Sequence, residues 1–375
     1  MKLVNKNILI TGGAGFIGTH LYENLLLEGA NVHIFDNLSE QIHGNRAIFT
    51  DHRVTFTKGD VTNTADIMRV IDNIDIVFHL AAETGTGQSM YEINQYVHVN
   101  EIGTARLLEA VVKSRKKDIS FVLASSRSIY GEGAYLSENG DRVQPNTRSK
   151  EQLVLNEWEL TDSDGACLIP VGTPSDLPPN PGSVYAATKY SQEMLVKVVC
   201  QTNHIPCTIL RFQNVYGEGQ SLRNPYTGII SIFYNRMRQG LPINIFEDGY
   251  ESRDFVHVSD VVNALVSSIT CKTSLQPVIA NIGSGEATTV LDIAKLLAEI
   301  SGIDIPIEVS GDYRIGDIRH CYADLECARH FLNFRPKITL YDGLSRFVDW
   351  ASQQSVYKDE SDRAMTELAE HGLSS

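Results

Sequence analysis

NILITGGAGFIG, residues 7–18, runs from an apolar stretch straight into a glycine-rich turn and out into a helix-like stretch. Four apolar or β-branched residues followed by Gly12, Gly15 and Gly18 predict a strand, a tight turn and a helix opening on it. Glycine suits such a turn because the backbone must double back and come close to a bound pyrophosphate. The phosphates then rest on the unpaired N–H groups at the helix N-terminus. A glycine triplet alone is weak evidence, since a plain turn would show the same letters. Here a second apolar run, NVHIF (31–35), follows and ends at Asp36. A carboxylate at that place accepts both hydroxyls of an adenosine ribose and repels a 2′-phosphate, which predicts NAD rather than NADP.

The same alternation continues outward. VTFTK (54–58), DIVFHLAA (75–82), SFVLAS (120–125) and CTILRF (207–212) read as strands, with helices over 16–29, 64–72, 91–115 and 184–203. Strands separated by helices imply βαβ units and a parallel sheet covered on both faces. The expected fold is therefore α/β: a Rossmann-type doubly wound parallel sheet with a smaller C-terminal α/β lobe. Residues 1–213 make the first domain, with a polar, Gly- and Pro-rich insert of irregular structure at 131–182 and a returning segment near 250–272. Residues 214–357 supply most of the second lobe, including helices over 226–239 and 288–300. The charged tail, 358–375, reads as a loose or surface helix.

Bulk composition excludes several classes. The chain has 375 residues, 42% hydrophobic and 21% charged, with a net charge of −14. No basic stretch offsets that charge, which argues against nucleic acid or an anionic membrane as partner, and any anionic ligand must meet locally placed arginines. No apolar run approaches the roughly 18 residues that span a bilayer. MKLVNKNILI is too briefly apolar for a signal peptide. Cysteines 167, 200, 207, 271, 321 and 327 lack metal-ligand spacing, and they read as reduced, mostly buried thiols of a cytoplasmic protein. Histidines 79, 98, 257 and 320 are similarly scattered, so no metal is expected.

Two further stretches carry chemistry. In SVYAATKYSQE, Tyr185 and Lys189 stand four apart and share one helix face. A tyrosine must drop about three pKa units to act as a base at neutral pH, a cost of ~4 kcal/mol. An ammonium ~4 Å away at an effective dielectric near ~20 supplies about that much. ASSRSIYG (124–131) ends a buried-type strand with hydroxyls and an arginine.

TGGAGFIG, SSRSIYG and YAATK, in this order, resemble the extended short-chain dehydrogenase/reductases that act on nucleotide sugars. VNEIGT around Asn100, LRFQNVYGEG, SRDFVHVSDV and YRIGDIR extend the resemblance over about residues 5–350. It implies NAD held by Gly12, Gly15, Phe16, Ile17, Gly18, Asp36, Asn37, Asp60, Val61, Leu80, Ala81, Ala82, Asn100, Tyr185 and Lys189. It makes Ser126, Tyr185 and Lys189 catalytic, and it places a nucleoside-diphosphate sugar against Thr86, Ser126, Asn214, Arg253 and Arg314. It also implies a homodimer formed through helices 91–115 and 184–203.

Dehydratases of this family carry an Asp-Glu pair after the catalytic hydroxyl; here Arg127 and Ser128 stand there, and neither can expel a sugar oxygen. A nucleotide-sugar 4-epimerase is the implied activity. AAETGTGQSMYE (81–92) and residues 213–233 resemble dTDP-L-rhamnose 4-epimerases more than enzymes acting on UDP-galactose, and Gly85 and Gly87 leave room for a turning ring. A net oxidoreductase or decarboxylase on the same fold, and a non-catalytic NAD-binding protein, remain alternatives from other classes.

Overall fold

The computed structural model describes residues 3–44, 49–116, 118–226, 228–270 and 276–374. Seven strands form one sheet: β1 (Asn7–Thr11), β2 (Asn31–Asp36), β3 (Thr55–Lys58), β4 (Ile76–His79), β5 (Ser120–Ser126), β6 (Cys207–Phe212) and β7 (Val278–Ile282). Their order is β7-β6-β5-β4-β1-β2-β3, and every pairing is parallel. The chain winds outward from β1 to β3, returns, and winds the other way from β4. The crevice beyond the C-terminal ends of β1 and β4 is thus the switch point, where doubly wound sheets place their ligands.

The apolar runs are continuous because both faces are covered. Ile8, Ile10 and Ile34 point to a layer holding Leu21 and Leu25 of α1 (Phe16–Leu27) and Val261 and Leu265 of a later helix, Val258–Thr270. Leu9, Val77, Phe121 and Ile209 point the other way, onto Leu107 and Val111 of α2 (Gly103–Lys113) and Val196 and Cys200 of α3 (Val184–Thr202).

The structure refines several expectations. The 91–115 helix is interrupted by a π-helical turn, Val97–Ile102, that carries Asn100 inward. The return into the first domain runs past 272, because β7 completes the main sheet. The insert is partly regular: Ala134–Leu136 pairs antiparallel with Arg142–Val143 and Ile169–Val171. It is tied to the lobe by buried charges, with Arg148 2.7 Å from Glu247, and Arg319 3.0 Å from Glu247 and 2.5 Å from Glu159. Glu247, Asp248 and Glu251 come close together, but Arg148 and Arg319 already compensate the first two.

The lobe's own core gathers Phe233, Ile243, Ile245, Phe255, Leu297 and Phe347. Cys200, Cys207 and Cys321 are free and buried, Cys327 is free and half-buried, and Cys167 is free but exposed; Cys271 lies outside the described residues. No helix among the described residues is long and apolar enough to cross a membrane.

Candidate active site

The turn after β1 is shaped as a cradle. Gly12 takes φ +69°, and a Cβ there would meet Ala81 N at 2.7 Å and Leu80 C at 2.9 Å, so the turn presses on the backbone leaving β4. Gly18 packs α1 onto the turn itself, with Gly13 Cα 2.6 Å from where its Cβ would be. Gly15 caps α1 without a side chain, so no N-cap side chain accepts from the helix's first N–H groups. Asp36, at the tip of β2, is 7% exposed and accepts Ala14 N at 3.1 Å and Leu38 N at 2.8 Å, fixing its carboxylate beside the turn. Glycine cradle, open helix terminus and ribose-side carboxylate fit a dinucleotide.

The other proposed cofactor contacts surround this crevice. Phe16 and Ile17 open α1, and Asn37 donates to Asp60, which also accepts from Thr62. Val61 is buried against Gly103. Leu80 N and Ala81 N donate to Thr11 at 3.0 and 3.4 Å, and Leu80 and Ala82 line the cavity. Asn100 is fully buried, and its amide is spent on the Glu83 backbone and on Thr188 Oγ1 at 2.9 Å. That geometry makes it a brace between the β4 loop and α3.

Ser126, Tyr185 and Lys189 converge on one side of a cavity of about 570 Å³. Ser126 ends β5 and caps the short turn Arg127–Tyr130, accepting Ser128 N at 3.2 Å and Ser128 Oγ at 3.0 Å. Its hydroxyl and the Tyr185 phenol line the same cavity, and Ser126 favours the ionised phenol. Tyr185 opens α3, with its backbone N–H on Ser89 Oγ at 3.0 Å and its ring edge-on to Tyr96. Lys189, one turn on, donates to Ala124 O at 3.0 Å. Burial lowers its pKa to about 8, against the opposing pull of Glu193.

Lys189 and Tyr185, one turn apart on α3, both line the cavity. Burial raises the tyrosine pKa, and the groups working against burial are Ser126 and Arg127. Arg127 Nε donates to Asn214 at 3.0 Å, and its Nη1 is buried without a hydrogen-bond partner among the described residues. Beneath the corner, Glu193 holds Arg211 at 2.7 Å and Ser125 at 2.5 Å, so the floor under Lys189 is rigid.

Thr86, Asn214, Arg253 and Arg314 line the same cavity. Arg253 is 6% exposed and reaches Asp317 at 2.9 Å; Arg314 lies over the Phe246 ring at 4.6 Å and makes no ion pair among the described residues. The two arginines meet Asp317 and Glu251, the latter pushed by burial up to about 7, and their guanidinium groups suit a diphosphate.

The family model described as the NAD dependent epimerase/dehydratase family matches residues 8–153 and 163–283. The chain belongs to that family. It is 38% identical over 353 residues to the dTDP-L-rhamnose 4-epimerase of Burkholderia thailandensis, covering 93% of this chain and 96% of that protein. Among solved structures, the UDP-glucose 4-epimerase of Thermotoga maritima with UDP-glucose is similar at TM-score 0.77 and 30% identity, over 92% of this chain and 99% of the other. The UDP-glucuronic acid 4-epimerase of Bacillus cereus, in complex with UDP-glucuronic acid and NAD, matches at 0.73 and 29% over the same shares. This member of the epimerase/dehydratase family is an isomerase, and its cofactor is NAD.

Sequence reasoning missed one wall of this family member's cavity. Asp362, Met365, Leu368 and Leu373 of the tail line it, as do Phe246 and Asp317. The YRIGDIR stretch offered a signal for Asp317, whereas nothing local marked the tail.

Proposed function

We propose that this enzyme interconverts C4 epimers of a nucleotide sugar, with dTDP-L-rhamnose as its substrate. The observation that carries the reading is a single hydroxyl–phenol pair, Ser126 and Tyr185, facing the cavity from a strand end whose turn carries no carboxyl. Tyr185 accepts the proton of the C4 hydroxyl and returns it after the sugar has turned. Ser126 relays that proton for the epimer whose hydroxyl lies farther from the phenol. Arg253, Arg314 and Asn214 hold the diphosphate while the sugar rotates about it. Bound NAD supplies the hydride acceptor and donor at C4. The relative from Burkholderia supports the rhamnose nucleotide. The Arg127–Ser128 pair supports epimerisation over dehydration, since a guanidinium with pKa above ~12 gives up no proton at neutral pH.

The test is incubation with dTDP-, UDP- and GDP-sugars followed by NMR of the products. Two C4 epimers should equilibrate without added NAD being consumed, and no solvent deuterium should appear at C4. Stable accumulation of a keto sugar, or stoichiometric reduction of added cofactor, would show net redox chemistry instead.

The charge of Arg127 should be visible in the pH profile. A base works only when deprotonated, and a nearby cation stabilises the tyrosinate, lowering the pH at which activity appears. Arg127→Gln should therefore move the acidic limb of kcat upward by about one pH unit, roughly tenfold less activity at pH 7 and near recovery at high pH. Arg127→Lys should hold the limb in place. A uniform loss at every pH would assign Arg127 to structure alone.

We also infer a cytoplasmic homodimer. The free thiols suit a reducing compartment, and Ile102, Met194 and Val198 stand exposed on the two helical segments expected to pair. Sedimentation showing a monomer at micromolar concentration would refute the dimer.

A further inference from the structure

The tail helix Ser361–Glu370, which we label α8, buries only Ala364 and Leu368. It is nevertheless held at both ends of the cavity. Glu367 accepts from Tyr226 at 2.7 Å and from Tyr91 at 3.1 Å, and His371 stacks on Tyr91 with ring centroids 4.7 Å apart. Beyond the helix, Leu373 O accepts Ile315 N at 2.9 Å, beside Arg314, whose Nη2 lies 3.1 Å from Met365 Sδ. The helix therefore runs alongside the ligand path, from the arginine end to the loop after β4.

At that loop it fills a notch. A Cβ on Gly87 would meet Leu368 Cδ2 at 3.1 Å and Cδ1 at 3.3 Å, so the room that Gly87 leaves is occupied by a leucine side chain and is not open to a turning sugar. The same loop carries Ser89, whose hydroxyl accepts the Tyr185 N–H at 3.0 Å. Leu368 is 8% exposed and lines the cavity together with Gly87, Ser126 and Tyr185. An apolar wall at this place accommodates a methyl group and offers nothing to a hydroxyl, which would lose its hydrogen bonds to water on entry.

We propose that Leu368, brought by α8 into the notch of Gly87, is a specificity-determining residue that selects 6-deoxy sugars over sugars bearing a hydroxymethyl group. The proposal rests on the reading of this cavity as the sugar site of a 4-epimerase.

The experiment compares kcat/KM for dTDP-L-rhamnose, UDP-glucose and UDP-N-acetylglucosamine in the full chain and in three variants. Leu368→Ala should lower the preference for the 6-deoxy substrate by about tenfold, the scale on which a few apolar groups discriminate in a pocket. Gly87→Ala alone should lower turnover modestly, because its methyl would stand 3.1 Å from Leu368 Cδ2 and the leucine must give way by a few tenths of an ångström. Gly87→Ala combined with Leu368→Ala should restore turnover of dTDP-L-rhamnose. If Leu368→Ala dislodges α8 altogether, the wall is lost as well and the preference must still fall. A ratio unchanged within about twofold in Leu368→Ala, or no rescue in the double variant, overturns the proposal. Interconversion with an unchanged ratio sinks only the wall, whereas an unaltered chain that epimerises none of the sugars sinks the catalytic reading and this one with it.

Discussion

Tyr185→Phe should bind NAD as the unaltered protein does and lose about a thousandfold in C4 interconversion, within the range that a positioned acid–base group contributes. The ring is held by contacts that the substitution keeps: its backbone N–H on Ser89 and its edge against Tyr96. Only the phenolic oxygen disappears. No neighbour can stand in for it, because Arg127 is already protonated and accepts nothing, and Lys189 is turned onto the Ala124 carbonyl. Raising the pH should not rescue this variant, whereas it should rescue Arg127→Gln. Ser126→Ala should lose less, since a water can replace one hydroxyl in a relay. Burial pushes the Tyr185 phenol up from its ordinary range, outweighing Ser126 and Arg127. Activity of the unaltered enzyme should therefore climb with pH until the phenol is deprotonated. Product NMR alongside the NAD content of the purified variant separates these effects. Near-normal turnover by Tyr185→Phe would show that the base lies elsewhere.

The parts of this site that could be read from sequence are those fixed by local rules. The turn after β1 is legible because only glycine tolerates both φ +69° at residue 12 and backbone contacts under 3 Å at residue 18. The strands are legible because a sheet covered on both faces needs unbroken apolar runs, and Tyr185 and Lys189 because four residues make one helical turn. What escaped is set by distant partners. Lys189 donates to the carbonyl of residue 124, and Arg127 at the end of β5 also favours the ionised phenol, neither of which the four-residue spacing announces. Arg148 and Arg319 sit in polar stretches that read as surface, but carboxylates 99 and 72 residues away bury them. The tail reads as a solvated helix because most of its surface is charged. Its contacts with Tyr91 and Tyr226 span 276 and 141 residues, and no periodicity within the tail announces them.

Gly12→Ala is the substitution expected to cost the cofactor site most. The residue sits at φ +69°, where a side chain strains the backbone, and its Cβ would fall 2.7 Å from Ala81 N, 2.8 Å from Ala81 Cα and 2.9 Å from Leu80 C. These are backbone atoms at the end of β4, pinned by Leu80 N and Ala81 N donating to Thr11, so they cannot swing aside as a side chain could. The turn must instead lift from the sheet, carrying the N-terminus of α1 away from the place where a pyrophosphate would rest. NAD affinity should fall by at least ~100-fold, as expected when several helix-terminus hydrogen bonds to an anion are lost together, and the melting temperature should fall with it. Gly15→Ala provides the contrast. Gly15 has φ −74°, and its Cβ would meet only Gly12 O at 3.3 Å. The folded chain should accept that methyl with little change in melting temperature, while NAD binding weakens because the methyl stands where the pyrophosphate approaches. Calorimetric titration with NAD, paired with thermal melts, reads both quantities. Equal affinities for Gly12→Ala and the unaltered protein would mean that the cofactor does not rest on this turn.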